Sequence, residues 1–101
     1  MHYYYYKNDN YQLYIKNIWL TINDNIKDII TNYLITYHKS LHLDEFQAYI
    51  TTEPLIFFDN IKIKKKERNK YNILKKKLIT LSNLINKKLN LDFSNMINSL
   101  I

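Results

Sequence analysis

The chain has 101 residues, enough for one domain with a modest core, and 47% of them are hydrophobic, which excludes simple disorder. It has no cysteine, so disulfides, thiolate nucleophiles and zinc–thiolate sites are excluded, and no apolar run approaches the roughly 18 residues of a membrane-spanning helix. Its formal net charge of +6 is concentrated: residues 62–77 hold nine cations against one acid, Glu67, a local +8, which leaves −2 for the other 85 residues.

Residues 1–10 (MHYYYYKNDN) read as a polar, tyrosine-rich tail, without the order of a signal or transit leader. Residues 11–20 (YQLYIKNIWL) are aromatic and β-branched with some alternation, and predict a strand. Ile26, Ile29, Ile30, Tyr33, Leu34 and Tyr37 then recur at helical spacing, with Asn23 as N-cap and Asp24 and Asp28 at the positive pole, predicting a helix over 24–39. Residues 46–58 (FQAYITTEPLIFF) return to strand composition, with Pro54 marking an edge or a bulge. YNI and LITL, within 71–81, predict a third strand, Ser82 opens a short helix carrying Leu84, Ile85 and Leu89, and Met96 to Ile101 close with a fourth strand. With no glycine in the chain, left-handed backbone positions are expected to fall mainly to asparagine.

The predicted order, β-α-β-β-α-β, is that of an α+β ferredoxin-like sandwich. It makes 11–101 a single domain behind the 1–10 tail, with a long basic β-hairpin arm over about 59–77 between the second and third strands. Taken alone, that arm suits a nucleic acid, an anionic membrane or plain solvent. An AT-rich codon bias explains much of the Lys, Asn, Ile and Tyr content, but not the gathering of nine of fifteen cations into sixteen residues.

The C-terminal third resembles the universal small-subunit ribosomal protein ten family, of the bacterial and organellar type. Arg68, Tyr71 and Ile73 follow a basic loop in that family's order, Leu78-Ile79-Thr80-Leu81 is similar to its Leu-Val/Ile-Asp-Ile strand, Leu91-Asp92-Phe93 to its Leu-Asp-Leu element, and Ile97 to Ile101 to its last strand. Upstream, Leu13 to Leu20 and the following helix match in order, and Ile50-Thr51-Thr52 stands where the family has Leu-Pro-Thr. The family's Gly-Pro-Ile-Pro-Leu-Pro-Thr is here Phe46-Gln47-Ala48-Tyr49-Ile50-Thr51-Thr52, and its third-strand histidine is missing, departures that point to a divergent mitochondrial member. The resemblance implies a structural protein of the small mitoribosomal subunit head, located in the mitochondrion, with ribosomal RNA and neighbouring head proteins as partners.

The RNA-binding residues expected on this reading are Lys62, Lys64, Lys65, Lys66, Arg68, Lys70, Tyr71, Lys75, Lys76 and Lys77. Lysine neutralises phosphate as a flexible point charge, so eight lysines and one arginine suit backbone contact rather than base reading, and Tyr71 suits stacking on a base or a ribose. Ile61 and Ile63 alternate with Lys62 and Lys64, putting cations on one face and apolar groups needing burial on the other. No catalytic residue, cofactor, metal, membrane or small-molecule substrate is expected: His38 and His42 have helical metal-ligand spacing but lack a full ligand set, and Asp44-Glu45 reads as a solvated pair of acids. The alternatives are a ferredoxin-like nucleic-acid-binding module outside the ribosome and an interaction subunit of another organellar complex.

Overall fold

The computed structural model describes residues 2–100. Five α-helices carry the fold: α1 (His2–Lys7), α2 (Asp9–Thr21), α3 (Asp24–Tyr33), α4 (His42–Thr52) and α5 (Arg68–Leu100). Short 3-10 turns at Lys39–Leu41, Pro54–Phe58 and Lys65–Glu67 join the later ones. There is no strand among the described residues, so the chain is all-α and the ferredoxin-like sandwich is overturned, together with its β-hairpin arm.

The reason lies in spacing prevailing over composition. Tyr11 and Ile15 are buried, and Tyr14, Ile18, Trp19 and Ile22 lean on the same core, so the predicted strand 11–20 buries one face at helical period. Asn8 starts that helix by accepting the Tyr11 backbone N–H at 2.8 Å. In the predicted strand 46–58, Phe46, Gln47 and Ile50, with Leu43 one turn before, line the inner side of α4. Pro54 then opens a 3-10 turn, where its missing N–H costs nothing, rather than marking a strand edge. Residues 71–81 lie inside α5, where Leu74, Leu78, Leu81, Ile85 and Leu89 form one stripe at spacings of three and four. Ser82 sits in the middle of that helix instead of capping a new one, and residues 96–100 continue it, while Ile101 lies outside the described residues.

The helix expected over 24–39 forms and starts as predicted, with Asn23 accepting the Asn25 N–H at 2.8 Å. It ends earlier, at Tyr33: the chain turns so that Leu34 is buried and the Tyr37 hydroxyl meets that of Tyr49 at 3.1 Å. Asparagine is not needed in left-handed conformations, because among the described residues no backbone φ is positive. The chain leaves α2 through an extended residue, Ile22, at φ −67° and ψ 141°.

Helix α4 is the hub, contacting α1, α2, α5 and the Pro54–Phe58 turn. Its C-terminal carbonyls, which lack partners within the helix, are taken by α5: the Ser82 hydroxyl donates to the Ile50 carbonyl and the Asn86 amide to that of Thr51, at 3.1 Å. Trp19 stands edge-on to Phe46, and Tyr33, Tyr49 and Phe57 form a mutually edge-on trio. The tyrosine-rich start joins the body. Tyr4 packs on Tyr11 and Phe93, Tyr5 packs on Tyr11, and His2 Nδ1 lies 2.8 Å from Asp44 Oδ2. Asp44 is buried, not solvated; it accepts from the Gln47 amide at 3.0 Å, and Gln47 in turn accepts the Tyr11 hydroxyl at 2.8 Å. Helix α5 has 33 residues and so runs about 50 Å, close to the molecule's longest extent of 55 Å.

Candidate nucleic-acid interface

The cationic segment begins as extended chain. Ile61 packs against the core and Ile63 is half-buried, while Lys62 and Lys64 face solvent, so the alternation expected there holds without any strand partner. A 3-10 turn carrying Lys65 and Lys66 follows, closed by the Glu67 N–H on the Lys64 carbonyl at 2.9 Å. Arg68 is the first residue of α5, and Lys70, Tyr71, Lys75, Lys76 and Lys77 occupy its first three turns. The structure therefore gathers all ten expected residues around the amino-terminal end of one long helix, instead of along two strands of a projecting hairpin.

Eight of the nine cations are exposed, and Lys75 is half-buried with its Nζ 5.6 Å from the centre of the Phe58 ring. Among the described residues the ion pairs are His2–Asp44 and Lys88–Asp92, so none of the nine has a carboxylate partner. No acid occupies the first turn of α5, and no side chain caps the turn before it. Apart from Glu67, which stands just before Arg68, cations thus crowd the positive pole of the helix macrodipole, where carboxylates are the stabilising choice.

Tyr71 is half-buried, its ring perpendicular to that of Phe58 with centres 6.4 Å apart and Lys70 Nζ 5.9 Å from its own centre. It borders an open cleft of about 560 Å³ lined also by Asp28, Ile29, Asn32, Asn60 and Ile61. Asn69 and Asn72 carry no signal in the sequence alone. Both are exposed on the same side of α5 as Lys76, a placement legible only once this segment is known to be helical.

His38 and His42 do not converge. His38 Nδ1 meets the Ser40 hydroxyl at 2.8 Å, and His42 Nε2 lies 3.0 Å from the Tyr37 carbonyl. Among the described residues no group of three or more His, Cys, Asp or Glu is placed to hold a metal ion. Compared with models of protein families, with curated proteins and with solved structures, the chain matches none.

Proposed function

We propose that this protein is an RNA-binding structural component of a ribonucleoprotein, gripping the phosphate backbone through residues 62–77. The observation that carries the reading is the set of nine cations without carboxylate partners gathered on and just before the first three turns of α5, Lys64, Lys65, Lys66, Arg68 and Lys70 of them at its positive pole. Such crowding opposes folding in the free protein, and local rules of this kind are broken chiefly where function requires it. Phosphates supply the missing anions.

An anionic membrane is the competing polyanion. A basic helix binds a bilayer surface by burying its apolar face. Here Leu74 and Leu78, the apolar stripe of the cationic turns, are already buried against the body, and the exposed Ile73 and Ile79 lie on separate sides of α5, which leaves a bilayer scattered apolar contacts and no continuous apolar face. RNA asks only for the side that faces water.

The particle nominated is the small subunit of a mitochondrial ribosome, with ribosomal RNA and head proteins as partners. Support for that part is the residue order around Arg68, Tyr71 and Ile73, and the all-α fold argues against it, since the described residues of the segments likened to that family's strands lie inside α5. The same interface suits a second reading, an RNA-binding module outside the ribosome. Two measurements separate them. Salt-dependent binding of RNA by the full chain is expected on both readings, and its absence refutes both. Co-sedimentation with small subunits at high magnesium is expected on the first alone, and a chain that stays in the supernatant refutes it.

A further inference from the structure

We infer that the RNA ligand is double-stranded, and that the first half of α5 lies along its minor groove; the inference rests on the RNA-binding reading above. Successive residues of an α-helix step about 100° around its axis. Leu74, Leu78 and Ile85, all buried, mark the side of α5 turned to the core. Arg68 and Lys75, seven residues apart, share one flank of that stripe, and Lys70 and Lys77, also seven apart, share the other. Asn69, Asn72 and Lys76, all exposed, fall on the side opposite the core. The helix therefore presents two cationic flanks, and between them a neutral amide row, one lysine and, beside the Lys70–Lys77 flank, the exposed Ile73.

Single-stranded RNA is held in a cationic groove by stacking its bases on aromatic side chains. This surface has neither feature. It is the convex side of a helix, and the one aromatic of residues 62–77, Tyr71, is half-buried against Phe58 on the core side, beside a cleft lined by Asp28 and by no cation. A duplex offers the complement: two phosphate strands with a row of sugar hydroxyls between them. In A-form RNA the minor groove is wide and shallow and displays the 2′-hydroxyls, while the major groove is too deep and narrow for side chains. An asparagine amide both donates and accepts, which matches a 2′-hydroxyl that does the same.

The test uses the full chain and three fluorescent probes of roughly 20 nucleotides per strand, as duplex RNA, single-stranded RNA and duplex DNA, a length that covers the span of known duplex-RNA modules. Duplex RNA is expected to bind about tenfold more tightly than either of the others, the loss of stacking platforms disfavouring the single strand and the loss of 2′-hydroxyls the DNA. The double substitution Asn69→Ala, Asn72→Ala is expected to bring duplex RNA and duplex DNA to similar affinity while leaving the salt dependence unchanged. A single strand that binds as tightly as the duplex, DNA that binds as tightly as RNA, or an RNA preference that survives the double substitution overturns this inference and leaves the phosphate-binding reading standing. Failure of all three probes to bind overturns both.

Discussion

Replacing Lys64, Lys65 and Lys66 with glutamine probes the interface where it enters the positive pole of α5. All three side chains are exposed and without carboxylate partners among the described residues. Each phosphate neutralised on a duplex contributes about −0.9 to the slope of log affinity against log salt; if about six of the eight exposed cations reach phosphate, affinity falls by roughly three decades between 50 and 200 mM salt. With three contacts removed, the slope drops by about 2.7 and the fall over the same range shrinks to roughly one and a half decades. The assay is fluorescence anisotropy with a duplex RNA at four or more salt concentrations. A second variant, Lys7, Lys16 and Lys39→Gln, removes the same charge from exposed positions outside the segment and is expected to keep the slope. The free protein should respond in the opposite sense. Its midpoint of thermal unfolding at low salt should hold or rise in the first variant, because cations are withdrawn from a helix N-terminus. Equal slopes for the two variants would refute a localised interface, and a lowered midpoint would refute the claim that these lysines are unfavourable in the unbound fold.

The remaining expectations concern the body that carries the interface. Tyr11→Phe leaves the buried Gln47 Oε1 without its donor and should cost about 1–3 kcal/mol in urea unfolding, whereas Tyr14→Phe, with no such partner among the described residues, should be near neutral. Leu78→Ala should cost about 2–5 kcal/mol and Ile79→Ala, at 39% exposure, under ~1 kcal/mol; near-equal costs would contradict the helical phase of α5. Alkali should unfold the protein. The hydrogen bond to Tyr49, helped by burial, pushes the Tyr37 phenol up to about 12, and burial with neighbouring tyrosines pushes Tyr11 further still, from an ordinary value of 10.0. Raised phenol values mean that the unfolded chain gives up its protons first, so stability is complete below about pH 10 and is lost as pH climbs towards and through 12. Absorbance titration of the ten tyrosines beside circular dichroism checks this, and a fold of unchanged stability at pH 12 would contradict it.

The sequence by itself determined where the charge lies, where α3 begins and how residues 61–64 alternate. These depend on local facts: covalent order, an asparagine cap and a period of two along extended chain. It also contained the helical spacings of Tyr11–Ile15–Ile18, written in tyrosine and isoleucine, whose stiff or bulky side chains favour strands when no partner surface is specified, and of Leu74–Leu78–Leu81–Ile85, written mainly in leucine but broken up by lysines and β-branched neighbours. Short apolar runs of this composition fit either period, and the choice falls to whatever they pack against. Here α4 supplies the surface, giving α2 and α5 a face to bury and taking the Ser82 and Asn86 side chains onto its last carbonyls. Only that tertiary packing decided that the lysines line a helix and not a hairpin. It put Asn69 and Asn72 beside Lys76 and drew His2, Tyr4 and Tyr5 into the body, because burial of one helical stripe fixes the rotation of every other residue around the same axis.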